Sequence, residues 1–348
     1  MHRRRAELAE GIHTTSCSLR VMSITYTASK KFDSQEFSAQ EEQMKLDFIP
    51  RTCPLCGGEN ARVLVEATLD EGRLTASAFA SRKLPEYMHS RMVECNSCGM
   101  LYANPVLRQE TLADAYKDAS FDSGAESRLA AVTYRTLLEP HLDALPSRTS
   151  ALDIGAGDGA FVEELLALGF TNVVGVEPST APIEAAKPAI RGYLKCGIFA
   201  AEQFAPESLD LITCFQVIEH VWDPVKITSD ALALLKPGGL FVIVAHDRRA
   251  FSARVMGTKS PIFDIEHLQL FDEVTGLALL RNSGFGTVTA RSVRNRYPIN
   301  YWIKLFPFPK PVKAAVSWIA HTSGTGKLLL SLPAGNLVIV GRRPIAGI

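Results

Sequence analysis

The sequence has no excess of either charge: Lys plus Arg and Asp plus Glu each number 37 in 348 residues. Proteins that mainly grip nucleic acid carry a basic excess, so the balance argues against that partner. No apolar run reaches the roughly 18–20 residues that span a bilayer, and no transmembrane segment is expected. The basic start, Met1 to Arg5, is not followed by the apolar stretch of a secretory signal, and Glu7 and Glu10 are out of character for a transit peptide. No internal repeat is visible, and nothing sets an oligomeric state. The cysteines also lack a disulfide pattern. They number seven, four of them in two C-x-x-C pairs, which points to metal binding in a reducing compartment, with the cytoplasm as the expected location.

What is present is an ordinary globular composition, 47% apolar and 21% charged. Residues 1–48 are polar and aperiodic and read as a disordered tail, with Met22 and Met44 available as later starts. Residues 49–105 are punctuated by Cys, Gly and Pro. Residues 106–146 read as a helical connector, with helices at Thr111–Lys117 and Glu126–Leu142. Residues 147–348 alternate strands and helices. The strands are expected at Ala151–Ile154, Asn172–Val176, Tyr193–Cys196, Leu209–Phe215, Leu240–Ala245, Gly286–Val293 and Asn336–Gly341. The intervening helices include Phe161–Leu168, Pro224–Leu235 and Phe271–Asn282. This alternation predicts an α/β fold, a mostly parallel sheet with helices on both faces. Residues 294–334 interrupt it with aromatics and prolines. They read as an inserted cap or lid.

The chemistry centres on Leu152-Asp153-Ile154-Gly155-Ala156-Gly157-Asp158-Gly159, placed between a strand and a helix. Glycines there admit unusual backbone angles and close ligand approach. The helix start offers free N–H groups to an anion. Alone the loop is ambiguous, because Gly155, Gly157 and Ala160 also satisfy the dinucleotide fingerprint. Glu177, at the end of the next strand, could accept from ribose hydroxyls in either case.

Later motifs separate the two. Glu219-His220-Val221-Trp222-Asp223-Pro224 follows the fourth strand, and Leu235-Lys236-Pro237-Gly238-Gly239 leads into the fifth. With Glu266-His267-Leu268 and Ser283-Gly284-Phe285, this order resembles class I S-adenosylmethionine-dependent methyltransferases. The resemblance implies a Rossmann-like seven-stranded sheet. It also implies a cofactor site in which the loop (Asp153, Gly155, Ala156, Gly157, Gly159) holds the methionine end, with Asp153 facing its ammonium. Glu177, Pro178 and Gln216 complete that site. One departure stands out. Many relatives have an acid after the third strand to hold the adenine amino group. Here the position is Ile198, followed by Phe199, so apolar packing on the adenine is expected.

Cys53-Pro54-Leu55-Cys56-Gly57 and Cys95-Asn96-Ser97-Cys98-Gly99 read as two knuckle turns whose four thiolates suit a closed, structural zinc site. With the run Met100 to Pro105 they resemble a bacterial methyltransferase subgroup with an N-terminal zinc-ribbon-like module. That resemblance implies a small-molecule, sugar or cell-envelope precursor as acceptor, methylated on oxygen or carbon. RNA or protein methylation, and a non-catalytic cofactor-sensing interaction protein, are the alternatives. A hydroxyl acceptor needs a base. His220 and His267 are the catalytic candidates, ahead of His246, with Asp247 and Glu219 as further contributors. A structural histidine at the helix start is the plainer reading of His220. The aromatic, basic segment Tyr297–Lys313 could rest on a membrane surface, but its prolines break any long helix and favour a cap.

Overall fold

The computed structural model describes residues 47–70, 88–117, 121, 124–306 and 308–345. The expected disordered tail lies outside the described residues, apart from Asp47 and Phe48. In chain order the elements are β1 (Phe48–Ile49), β2 (Ala61–Val65), β3 (Met92–Cys95), β4 (Leu101–Ala103), β5 (Val106–Leu107), α1 (Gln109–Lys117) and α2 (Gly124–Leu138). Then come β6 (Ser150–Ile154), α3 (Ala160–Ala167), β7 (Asn172–Glu177), α4 (Thr180–Ala185), α5 (Pro188–Arg191), β8 (Leu194–Cys196), β9 (Leu209–Phe215), α6 (Pro224–Leu234) and β10 (Leu235–His246). The chain continues through α7 (Phe251–Met256), β11 (Gln269–Leu270), α8 (Glu273–Asn282), β12 (Thr287–Pro298), α9 (Ile299–Leu305), α10 (Lys310–Thr322) and β13 (Leu329–Arg342).

Seven strands form the main sheet in the order β12-β13-β10-β9-β6-β7-β8. Five run parallel, while β13 is antiparallel to both β10 and β12. The central strands are apolar on both faces. Leu209–Cys214 is buried at every position, as a parallel strand covered on two sides must be. The parallel strands end together, so Ile154, Glu177, Cys196, Phe215 and His246 share one carboxyl edge.

Local chemistry explains several boundaries. The expected helix Glu126–Leu142 stops at Leu138, and a 3-10 turn over Glu139–Ala144 follows with Pro140 in its first turn. A proline inside an α-helix loses a donor and clashes with the preceding turn. The expected helix Phe271–Asn282 starts instead at Glu273. Phe271 is fully buried, bridged to Asp247, and Asp272 forms a capping box with Thr275. The last two strands outrun their expected ends. Beyond a register shift at Val293/Arg294 they continue as a hairpin arm, Arg294–Pro298 on Leu329–Pro333. From that arm α9 and α10 project. Pro298 precedes the first helix and Pro311 opens the second.

A second sheet, β11-β4-β3-β2, is antiparallel and carries the cysteine turns. Its edge strand β11 comes from residues 269–270, far along the chain. Cys53, Leu55, Cys95, Met100 and Tyr102 lie in the same hydrophobic core as Leu152, Ile154, Phe241 and Phe271. Arginines join the two parts. Arg248 donates to Glu94 at 2.8 Å, Asp272 at 2.9 Å and the Gly99 carbonyl at 2.8 Å. Arg51 donates to the Leu268 carbonyl at 3.0 Å and Gln269 Oε1 at 2.8 Å.

Candidate functional site

The glycine loop sits where the carboxyl end of β6 turns into α3. Gly155, Gly157 and Gly159 have φ of 73°, 55° and 74°, a region that favours glycine. At Gly155 there is a second demand: a Cβ would lie 2.2 Å from Val217 Cγ2. Val217 belongs to the turn after β9, and its carbonyl accepts from the His220 N–H at 2.8 Å. The loop and the histidine turn are therefore packed directly together.

Glu177 is buried at the end of β7. Its carboxylate accepts from the Gly157 N–H at 2.9 Å and the Ser179 N–H at 3.0 Å, which ties the acid to the loop across the strand ends. Burial raises its pKa, and those two N–H groups oppose the rise. Asp153 is buried within β6 and accepts from the Thr213 hydroxyl at 2.6 Å. Burial pushes it up to about 7, with the Glu177 charge adding to the rise and the Thr213 bond opposing it. Pro178 is half-buried beside Glu177. Gln216 holds a positive φ of 58°, and its Nε2 is buried without a hydrogen-bond partner among the described residues. Phe199 is buried, whereas Ile198 is 59% exposed. Ala156 is buried under the loop. These candidates gather at one sheet edge. Their features (a tight loop at a helix start, a buried carboxylate at the next strand end, an amide nitrogen without a partner among the described residues and a buried ring) fit a ligand with ribose hydroxyls and a purine, with the first turn of α3 beside the loop to meet a carboxylate.

Beside the loop is a histidine cluster. The ring centroids of His220 and His267 are 4.8 Å apart, and those of His246 and His267 are 4.9 Å apart. His220 Nδ1 is 3.0 Å from the Tyr116 hydroxyl and 3.8 Å from Glu266. Burial, then the neighbouring imidazoles His267 and His246, drive the His220 pKa well below 6.5. Burial also lowers His267. In both rings burial favours the neutral imidazole. Glu219 is fully buried, and burial lifts it to about 7. Asp247 bridges to Phe271 at the end of β10. Sequence reasoning missed Tyr116, which reaches this edge from the last turn of α1. It also missed Ser127, at the start of α2, which donates to the loop residue Asp158 at 3.1 Å. Neither position carries a motif.

The four cysteines converge as expected. Cys53 and Cys98 sulfurs are 3.5 Å apart, those of Cys56 and Cys95 are 3.6 Å apart, and all four lie within 4.8 Å of one another. A tetrahedral zinc with bonds of about 2.3 Å separates its sulfurs by about 3.8 Å, so this group fits that ion. Gly57 and Gly99 close the two turns with φ of 71° and 75°, each donating to the carbonyl of the first cysteine. Four sulfurs leave no coordination position open, and the group could hold a structural zinc.

A family model described as a methyltransferase domain matches residues 122–290. A ubiquinone biosynthesis O-methyltransferase of Saccharophagus degradans is 33% identical over 119 residues, covering 31% of this chain and 49% of the relative. One from Bradyrhizobium sp. is 36% identical over 114 residues, covering 31% and 45%. The chain thus spans about half the length of these relatives. A solved S-adenosylmethionine-dependent methyltransferase from Thermotoga maritima is 21% identical, covers 64% of this chain and 92% of its own, and has a TM-score of 0.42. Residues 122–290, which hold the glycine loop and the five parallel strands of the main sheet, thus match a methyltransferase domain.

Proposed function

We propose that the protein methylates an oxygen of a small molecule, with S-adenosylmethionine as donor and His220 as base. The observation that carries this reading is the packing of Val217 on Gly155, which sets the His220 turn against the glycine loop. When bound, S-adenosylmethionine supplies an activated methyl group on sulfur. The N–H groups of Gly155, Ala156, Gly157 and Gly159 hold the loop itself in shape, donating to the Val176 carbonyl, Glu177 and the Ala156 carbonyl; that shape would bring the methionine end close to the backbone, with its carboxylate at the first turn of α3 and its ammonium at Asp153. Glu177 takes the ribose hydroxyls, with Pro178 shaping the turn beneath. Phe199, Ile198 and Gln216 receive the adenine side.

His220 removes the proton of the acceptor hydroxyl. In the productive tautomer Nδ1–H donates to the Tyr116 oxygen, which leaves Nε2 with its lone pair. His267 is the second candidate for this role. The protein's remaining work is alignment, since the donor brings its own leaving group. In this reading residues 49–105 are the zinc module, 106–146 the connector and 147–348 the catalytic domain with 294–334 as its cap. Four reduced thiols suit the cytoplasm.

No acidic residue follows Glu273, whereas residues 274–348 hold ten Lys or Arg. The cap within that stretch exposes Phe306, Phe308, Trp318, Ile319 and Leu328–Leu330. Apolar side chains among lysines, with no carboxylate, complement an anionic lipid surface. We therefore assign the cap a peripheral contact with such a surface. Among the described residues no helix is long and apolar enough to cross a membrane.

Calorimetry of the full chain with adenosylhomocysteine tests the donor half, and absence of binding overturns it. Formation of adenosylhomocysteine with a panel of hydroxylated small molecules tests the acceptor half. Turnover on RNA or protein alone would move the assignment to those substrates.

A further inference from the structure

We propose that Glu219, His246 and His267 form a second metal site, distinct from the four cysteines, that takes a divalent first-row transition ion such as zinc, manganese or iron. The proposal deepens the acceptor site just described and rests on that reading for its role, though not for its existence.

Three observations converge. First, Glu219 is fully buried at the turn after β9, and its Oε2 has no hydrogen-bond partner among the described residues. Its other oxygen accepts from the His246 N–H at 3.2 Å, and backbone N–H groups are its sole donors among the described residues. A buried carboxylate oxygen with nothing to accept is costly unless a cation or proton meets it.

Second, both imidazoles are fixed through the same nitrogen. His246 Nδ1 is 3.2 Å from Asn336 Oδ1, and His267 Nδ1 is 2.8 Å from the Ile262 carbonyl. Those oxygens can only accept, so each Nδ1 carries the proton and each Nε2 keeps its lone pair. Metal-binding histidines are oriented in this way, with the second ring nitrogen donating to an oxygen behind.

Third, one ligand atom from each of the three residues lies within 4.8 Å of the others, and His246 Nε2 is 4.0 Å from Glu219 Oε1. That separation is too long for a hydrogen bond between them. It lies within the span of two ligands on one ion whose bonds are each about 2.0–2.2 Å.

Two imidazoles and one carboxylate make a borderline donor set, suited to zinc, iron or manganese, and they leave coordination positions open. The site lies at the carboxyl edge, beside His220, which is committed to Tyr116. An ion there would take an acceptor oxygen as a further ligand and make its proton easier to remove. The acceptor class that follows is a hydroxylated compound whose oxygen can bind a metal, an aromatic diol for example. His267 then serves as a ligand, and proton removal stays with His220.

The test counts ions. Full-length protein is stripped of metal and titrated with Co2+, with elemental analysis and the visible spectrum as readouts. Two ions per chain are expected, one giving the intense thiolate absorption of the cysteine site and one without it. Glu219→Gln and His267→Asn should each remove the second ion and keep the thiolate band, which also reports that the variant is folded. Asn336→Ala, which leaves all three ligands in place, should weaken the second site by about 10–100-fold. One ion per chain in the unaltered protein, or two retained in Glu219→Gln, overturns the proposal. The count is independent of turnover. A two-ion protein that methylates nothing upholds the metal site and defeats the proposed function. A one-ion protein that methylates small molecules does the reverse.

Discussion

The hydroxyl of Tyr116 lies 3.0 Å from Nδ1 of His220, a contact between the last turn of the connector helix and the turn after β9. It fixes the ring that we assign as base. His220→Ala should lower kcat by at least about 100-fold, the usual worth of a positioned base. Tyr116→Phe should lower it by about tenfold while adenosylhomocysteine binding is unchanged. Because burial and the neighbouring imidazoles hold the His220 pKa well below 6.5, the basic form persists as pH falls through 6.5. The acid limb of the kcat profile should therefore lie below pH 6.5. An acid limb at or above 6.5, or full turnover in His220→Ala, counts against the assignment.

Glu177 links the donor edge to the loop through the Gly157 N–H. Glu177→Gln keeps the shape but gives up the charge that accepts from two hydroxyls. We expect its Kd for adenosylhomocysteine to rise by about 10–100-fold, since charged hydrogen bonds are worth roughly 1.5–3 kcal/mol. Calorimetry on the folded variant reads this directly. An unchanged Kd would show that the carboxylate faces only the loop.

Much of this site was legible because its residues are set by backbone demands. Gly155 must be glycine for its φ and for Val217, and such constraints leave motifs. The strands β6, β9 and β10 announced themselves as buried apolar runs. The hairpin arm did not. Along Val293–Tyr297 alternate residues are buried, but one of the buried positions is Asn295 and the outward ones are arginines, so the two-residue period was hidden. Tyr116 was invisible for another reason: its partner lies 104 residues away, and no local pattern encodes that contact.

The four-cysteine site, which could hold a zinc, shares its core with the main sheet, through Cys53, Cys95 and Met100 beside Leu152 and Phe241. Loss of the ion should therefore weaken the whole fold and not one lobe alone. Cys95→Ser, or chelation during heating, should lower Tm by roughly 10 °C or more, in a single transition. Structural zinc sites contribute folding energy outright. Two separate calorimetric transitions, with the later one unchanged, would show a module that folds by itself.

The cap offers the last prediction. Trp318 is 68% exposed and Ile319 is 56% exposed on α10, and Lys304, Lys310 and Lys313 lie nearby in sequence. Vesicles of phosphatidylglycerol should co-sediment the full chain, and neutral phosphatidylcholine vesicles should not. The interaction combines buried apolar surface with about 1 kcal/mol per lysine near an anionic surface, so it should weaken as salt rises. Trp318→Ser with Ile319→Ser should reduce vesicle binding at least tenfold, and should leave adenosylhomocysteine affinity unchanged because neither residue is among those assigned to the donor site. Self-association in sedimentation without vesicle binding would assign the surface to a second copy of the chain. Salt-sensitive binding to RNA in place of vesicles would assign it to nucleic acid.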